Sequence, residues 1–212
     1  MLTLDHLTVI APTLALGASH VRDCLDLDVP FGTRHEYMGT HNHRLQLGGG
    51  VYLEIVALDP GGTAPARARW FGLDDQAKVG ADWADGRRLR GWVASVAAMA
   101  PVLSAHGTIF GERVPLPPGD PSFDFAIPAD GALPVDGAVP SLIDRRGALE
   151  RMGDIPDLGA TLLDFTLEHP DPASIGQLYE RLSIDRPPGI AHGAALRYRA
   201  QVETPGGLKT LT

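Results

Sequence analysis

Two histidines two residues apart, His41 and His43, are followed after a glycine turn by Glu54, a carboxylate inside the otherwise apolar run VYLEIVA. A third histidine, His6, lies in a comparable run near the start of the chain, LTLDHLTVIA. A carboxylate taken out of water is costly unless a cation or hydrogen-bond donors meet it. Imidazole with carboxylate is a donor set for Zn, Fe, Mn, Co or Ni, and an open coordination position lets the metal polarise a bound oxygen. Imidazole also titrates near neutral pH and can serve as a proton-transfer base. The spacing fixes no geometry, unlike Cys-x-x-Cys or His-Glu-x-x-His. Glu54 is equally readable as a buried salt-bridge partner of Arg44, His6 as a hydrogen-bonded strand histidine, and His35 as structural or rim-forming.

The elements that would position these groups are strands. Side chains alternate across a strand, so His41, His43, Leu45 and Leu47 share one face and Asn42, Arg44 and Gln46 the other. Tyr52, Glu54 and Val56 lie together in the next strand, and His6 shares a face with Leu4 and Thr8. If the three strands are neighbours, His6, Glu54 and one of the two faces of the 41–47 strand converge.

The pattern predicts a strand over residues 2–11, a helix over about 13–27 with Thr13 as N-cap, and strands at 33–38, 41–47 and 51–58 joined by the Gly48-Gly49-Gly50 turn. Residues 59–86 read as an irregular linker anchored by Trp70-Phe71. A second β-α-β-β-β order follows, with a strand from Arg88, a helix over 97–106, and strands near 108–114, 123–127 and 139–145. The first module is thus 1–60, the linker 61–86, the second module 87–146 and the remainder, 147–212, a β-α-β-β extension. The whole predicts a single α+β domain whose repeat lies in element order.

Of the 212 residues 44% are hydrophobic and 21% charged, with mean hydropathy −0.02, the proportions of a globular chain. A net charge of −8 argues against a nucleic-acid partner. No apolar run approaches a membrane span and no leader pattern precedes the first strand, so a cytoplasmic protein without a membrane partner is expected. The single cysteine, Cys24, excludes an internal disulfide and reads as a buried structural thiol. Gly-x-Ser-x-Gly, Walker A and strand-following Gly-x-Gly-x-x-Gly motifs are absent.

The runs DHLTVIA, PFGTRHEYMGTHNHRLQLGGGVYLEIVALDP and RWFGLD resemble the glyoxalase-like proteins of the vicinal oxygen chelate superfamily. The resemblance is carried by the first 75 residues or so, and beyond them by element order and the PSLID segment. It implies paired βαβββ modules whose mostly antiparallel sheet curls into a cup holding a divalent metal (Zn, Mn, Fe, Co or Ni) or a small molecule. It also implies a ligand from the first and the last strand of a module, here His6 and Glu54. In the second module Gly91 or Trp92 aligns with the first position and Ile143 or Asp144 with the second, so Asp144 is the candidate third ligand. His41 or His43 would be a further ligand or the proton-transfer base, and Asn42, Tyr52 and Trp92 would touch substrate, Trp92 as an apolar floor. The expected activity is metal-dependent chemistry, of lyase, isomerase or dioxygenase type, on a small oxygenated molecule. The rival is a metal-free sequestration module. The only partners expected are the small molecule and, at most, a second copy in a homodimer.

Overall fold

The computed structural model describes residues 1–147 and 149–212, of which 149–151 by their backbone alone. The first module runs β1 (Leu2–Ile10), α1 (Leu14–Leu25), β2 (Phe31–His35), β3 (Thr40–Gln46) and β4 (Tyr52–Leu58). Thr13 caps α1 by accepting the Leu16 N–H at 3.3 Å, and Leu14, Gly17, Val21 and Leu25 recur on its buried face. Gly17 lets the helix touch the sheet, since a Cβ there would lie 2.4 Å from Ile55 Cγ2.

The stretch expected to be a linker contains a 3-10 turn at Trp70–Gly72 and a helix, α2 (Gln76–Ala84), capped by the Asp75 side chain. Trp70, Phe71, Leu73 and Val79 from this stretch pack with Ile10, Met38, Val56, Val93 and Phe125, closing one end of the sheet's concave side. The second module follows as β5 (Leu89–Ser95), α3 (Met99–Phe110), β6 (Glu112–Leu116), β7 (Phe123–Ile127) and β8 (Ser141–Asp144). Residues 108–110, expected in a strand, complete α3, and β6 begins only at Glu112.

The two modules join through antiparallel pairing of β1 with β5, giving the order β2-β3-β4-β1-β5-β8-β7-β6. Each first strand runs parallel to its module's last, β1 to β4 and β5 to β8, while the outer pairs are antiparallel. The result is a mixed sheet curled into a half-barrel, with α1 and α3 on its outer face.

Beyond a 3-10 segment at Leu149–Asp154, the extension contains β9 (Thr161–His169), α4 (Pro172–Arg181), β10 (Ile184–Asp185), β11 (Gly189–His192), β12 (Arg197–Thr204) and β13 (Gly207–Leu211). It is richer than the β-α-β-β expected. The two-residue β10 adds to β1, while β11, β9, β12 and β13 form a second sheet. That sheet shares the main core, in which Leu7, Val9, Leu53, Ile55 and Trp92 meet Phe165, Leu167, Tyr179 and Tyr198. No helix among the described residues is long and apolar enough to cross a membrane.

Candidate active site in the cup

His6 and Glu54 meet because β1 and β4 are neighbours in register, Thr8 opposite Glu54 and His6 opposite Tyr52, so both side chains enter the concave face. Strict alternation fails one step earlier. The β1–β5 register passes from Leu4–Ala94 to His6–Val93, which makes Asp5 the extra residue of a bulge. Leu4 consequently packs with the outer-face core and not beside His6, while Asp5 and His6 emerge side by side.

That bulge orders the site. Asp5 Oδ1 is 2.7 Å from His6 Nδ1, and Arg145 clamps the same carboxylate through Nε at 2.7 Å and Nη2 at 2.5 Å. Burial alone would raise Asp5, but Arg145 and then His6 outweigh it and hold the carboxyl well below the usual range. An ionised Asp5 can only accept, so His6 Nδ1 carries the proton and Nε2 points at Glu54. The Nε2–Oε2 separation is 3.4 Å, too long to satisfy the nitrogen, and His6 Nε2 is buried without a hydrogen-bond partner. Tyr52 stacks on the imidazole at 4.4 Å and accepts from Arg145 Nη2 at 3.2 Å. Burial disfavours charge on His6, yet Asp5 and Glu54 together raise its pKa.

Glu54 is not the salt-bridge partner of Arg44, although the two face each other across β3 and β4. Its Oε1 accepts from Asn42 Nδ2 at 2.7 Å, and Asn42 Oδ1 accepts the Thr33 N–H at 2.8 Å, which fixes the amide's orientation. Burial would push Glu54 up, but His6, His35 and Asn42 pull it to about 2. His35 also lines the cavity, Nδ1 3.1 Å from Thr40 Oγ1, and burial lowers its pKa. The cavity, of about 190 Å³, is bounded on its other side by Trp70, Phe71, Phe123, Phe125 and Ile143.

Four expected site residues are not brought together there. His41 and His43 project from the opposite face of β3, where they pack edge-on against the exposed Phe31, and His43 Nδ1 meets the Val29 carbonyl. Asp144 faces away, its oxygens accepting the backbone N–H groups of Met99 and Arg146, while Ile143 faces the cavity. Trp92 lies on the outer face, its Nε1 donating to the Tyr198 hydroxyl at 3.0 Å. It borders a second cavity of about 370 Å³ between the sheet and the extension, whose lining holds no histidine.

Register also settles the alignment of the two modules. Val93 pairs with Ser141 and Ser95 with Ile143, as His6 pairs with Tyr52 and Thr8 with Glu54. Val93 therefore stands at the His6 position, in place of Gly91 or Trp92, and Ile143 at the Glu54 position. The imidazole and carboxylate groups come from the first module, with Arg145 reaching in from the second, and the apolar wall comes from the second module together with Trp70 and Phe71. Sequence reasoning missed Asp5 and Arg145. Asp5 adjoins His6, but only the bulge shows that both face inward.

The residues fit a divalent cation to the extent of two donors, which would be His6 Nε2 and Glu54 Oε2. His6 Nε2 is buried without a hydrogen-bond partner, Glu54 Oε2 lies 3.4 Å away, and Asp5 holds the imidazole as metal-bound histidines are commonly held. No group of three His, Cys, Asp or Glu residues suited to a metal occurs among the described residues, so the other coordination positions would fall to solvent or ligand oxygens.

The family described as a glyoxalase-like domain matches residues 4–183. No curated protein matches the chain. Among solved structures, a hypothetical protein from Staphylococcus aureus is 9% identical with a TM-score of 0.59, covering 100% of this chain and 99% of its own; it shares the fold. Methylmalonyl-CoA epimerase from Mycobacterium tuberculosis is 14% identical, TM-score 0.39, with 66% of this chain and 86% of its own covered. A Streptomyces coelicolor methylmalonyl-CoA epimerase variant in complex with 2-nitronate-propionyl-CoA is 17% identical, TM-score 0.38, with 69% and 97% covered.

Proposed function

The chain belongs to the glyoxalase-like domain family, and from that premise we propose that it is a metal-dependent enzyme acting on a small oxygenated molecule in the cup, with His6 and Glu54 as the metal-holding pair. The observation that carries this reading is the unpartnered Nε2 of His6 facing Glu54 Oε2 across 3.4 Å in a buried site. A bound divalent cation would supply Lewis-acid polarisation of a substrate oxygen. The chain's own residues do the rest. Asp5 keeps the proton of His6 on Nδ1, and Arg145 holds Asp5 in place. Asn42 occupies Glu54 Oε1 and leaves Oε2 free. Stacked Tyr52 limits rotation of the His6 ring, and the aromatic wall excludes water from a bound ligand. His35, an imidazole lining the same cavity, takes the proton-transfer role expected of His41 or His43.

The second reading, a metal-free sequestration module, is favoured by one observation: Val93 and Ile143 supply no donors where the first module has His6 and Glu54. One experiment separates the two. Protein purified without a histidine tag is stripped with chelator, then titrated with Zn, Mn, Fe, Co or Ni, and metal content and thermal unfolding are followed in wild type and Glu54→Gln. The enzyme reading expects one metal per chain, a raised Tm in wild type and neither in Glu54→Gln, with His41→Gln/His43→Gln behaving as wild type. A wild type that holds none of these metals and gains no stability from them overturns it in favour of sequestration.

A further inference from the structure

We propose that the cup's ligand carries an anionic group, a carboxylate or its equivalent, on a compact apolar body, and that Arg44 selects it. The inference rests on the cup being the ligand site and adds the substrate class. Three arginines near the cup are already spent: Arg145 on Asp5, and Arg146 and Arg113 on Asp124. Arg44 is not. It lines the cavity, forms no ion pair among the described residues, and donates only Nη2, to Thr33 Oγ1 at 3.1 Å. Its Nε is buried with no hydrogen-bond partner.

An arginine without a carboxylate partner beside a largely apolar cavity keeps its charge for an anionic ligand, which reaches it through the accessible, unbonded Nη1 and not through the enclosed Nε. The nearest carboxylate across the ladder, Glu54, is turned to His6 and Asn42 and does not pair with Arg44. Gly32 contributes to the arrangement. A Cβ there would lie 2.9 Å from Arg44 Nε and 2.3 Å from Asn42 Oδ1, so a side chain on β2 would displace both. The planar fork of arginine suits a carboxylate in two-point contact. The opposite wall, Phe71, Phe123, Phe125 and Ile143, suits an aryl or branched alkyl body. Arg44 and this wall line the same cavity of about 190 Å³.

The test uses the chelator-stripped 212-residue chain, so that its failure is distinct from failure of the metal reading, which is scored by metal titration. Benzoate and 3-phenylpropanoate are titrated against benzamide and 3-phenylpropanamide by calorimetry and by the fluorescence of Trp70, with Trp70→Phe as the control. Each acid is expected to bind at least about tenfold more tightly than its amide, with the advantage shrinking as salt rises. Arg44→Gln should erase that advantage by weakening the acids far more than the amides, and Arg44→Lys should keep part of it. Acids and amides binding alike to wild type, no saturable binding of either, or an unchanged acid advantage in Arg44→Gln each overturns the proposal. If Arg44→Gln does not fold, the wild-type acid-to-amide ratio and Arg44→Lys still decide it.

Discussion

Replacing Asp5 by Asn tests whether the bulge in β1 organises the site. The carboxylate receives three charge-bearing or charge-assisted contacts, from Arg145 Nε at 2.7 Å, Arg145 Nη2 at 2.5 Å and His6 Nδ1 at 2.7 Å. Asn keeps one acceptor and turns an amide N–H toward donors, so at least one contact becomes repulsive and the Arg145 charge loses its counterion. Removing one partner of a buried pair costs about 3–5 kcal/mol. Here the Arg145 side chain is 22% exposed and retains Tyr52 as an acceptor, which places the expectation at the lower end, about 3 kcal/mol. For a chain of this length that lowers Tm by about 6–12 °C. Metal affinity should fall about 10–100-fold, because the group orienting the His6 ring is gone. Urea unfolding of the chelator-stripped protein gives the first number and metal titration the second. Arg145→Gln in a double-mutant cycle should cost less in the Asp5→Asn background than in wild type. A stability loss below about 1 kcal/mol together with unchanged metal affinity would mean that Asp5 does not organise the site.

Two further outcomes follow from contacts outside the cup. Tyr198→Phe removes the hydroxyl that accepts from Trp92 Nε1 at 3.0 Å and donates to the Gly137 carbonyl at 2.8 Å, and should cost about 2 kcal/mol in urea unfolding while leaving metal binding in the cup intact. The Asp124 carboxylate, its side chain fully inaccessible, is held below the usual range by Arg146 first and Arg113 second. A depressed folded-state pKa gives stability that is complete above the unfolded value, near 3.9, and is lost as pH falls through the folded one. The advantage of wild type over Asp124→Asn should therefore hold from pH 7 to about 5 and close below about 4, as measured by unfolding at a series of pH values.

Local pattern and composition account for the elements whose signals lie within a few residues of one another. The apolar run of 51–58, the capped apolar face of α1 and the Gly48–Gly50 turn predict their elements because each is encoded within a few residues. The repeated β-α-β-β-β order was legible for the same reason, whereas the meeting of His6 with Glu54 followed only from the family resemblance or from taking their strands as neighbours, since residue pattern alone left Arg44 equally open as Glu54's partner. Helix α2 was not legible, because its amphipathic run of Gln76–Ala84 is short and sits among Pro and Gly residues. It is held by packing Val79 into the closed end of the cup. Which side of β3 faces inward is set by its strand neighbours in the fold. Asn42 and Arg44 enter the cup and His41 and His43 do not, because the neighbouring β4 presents Glu54 in register with the even-numbered set. The same holds for Asp5 and Asp144. A one-residue bulge turns Asp5 toward His6, whereas regular alternation in β8 turns Asp144 outward, and each outcome depends on register with another strand, which no single segment encodes.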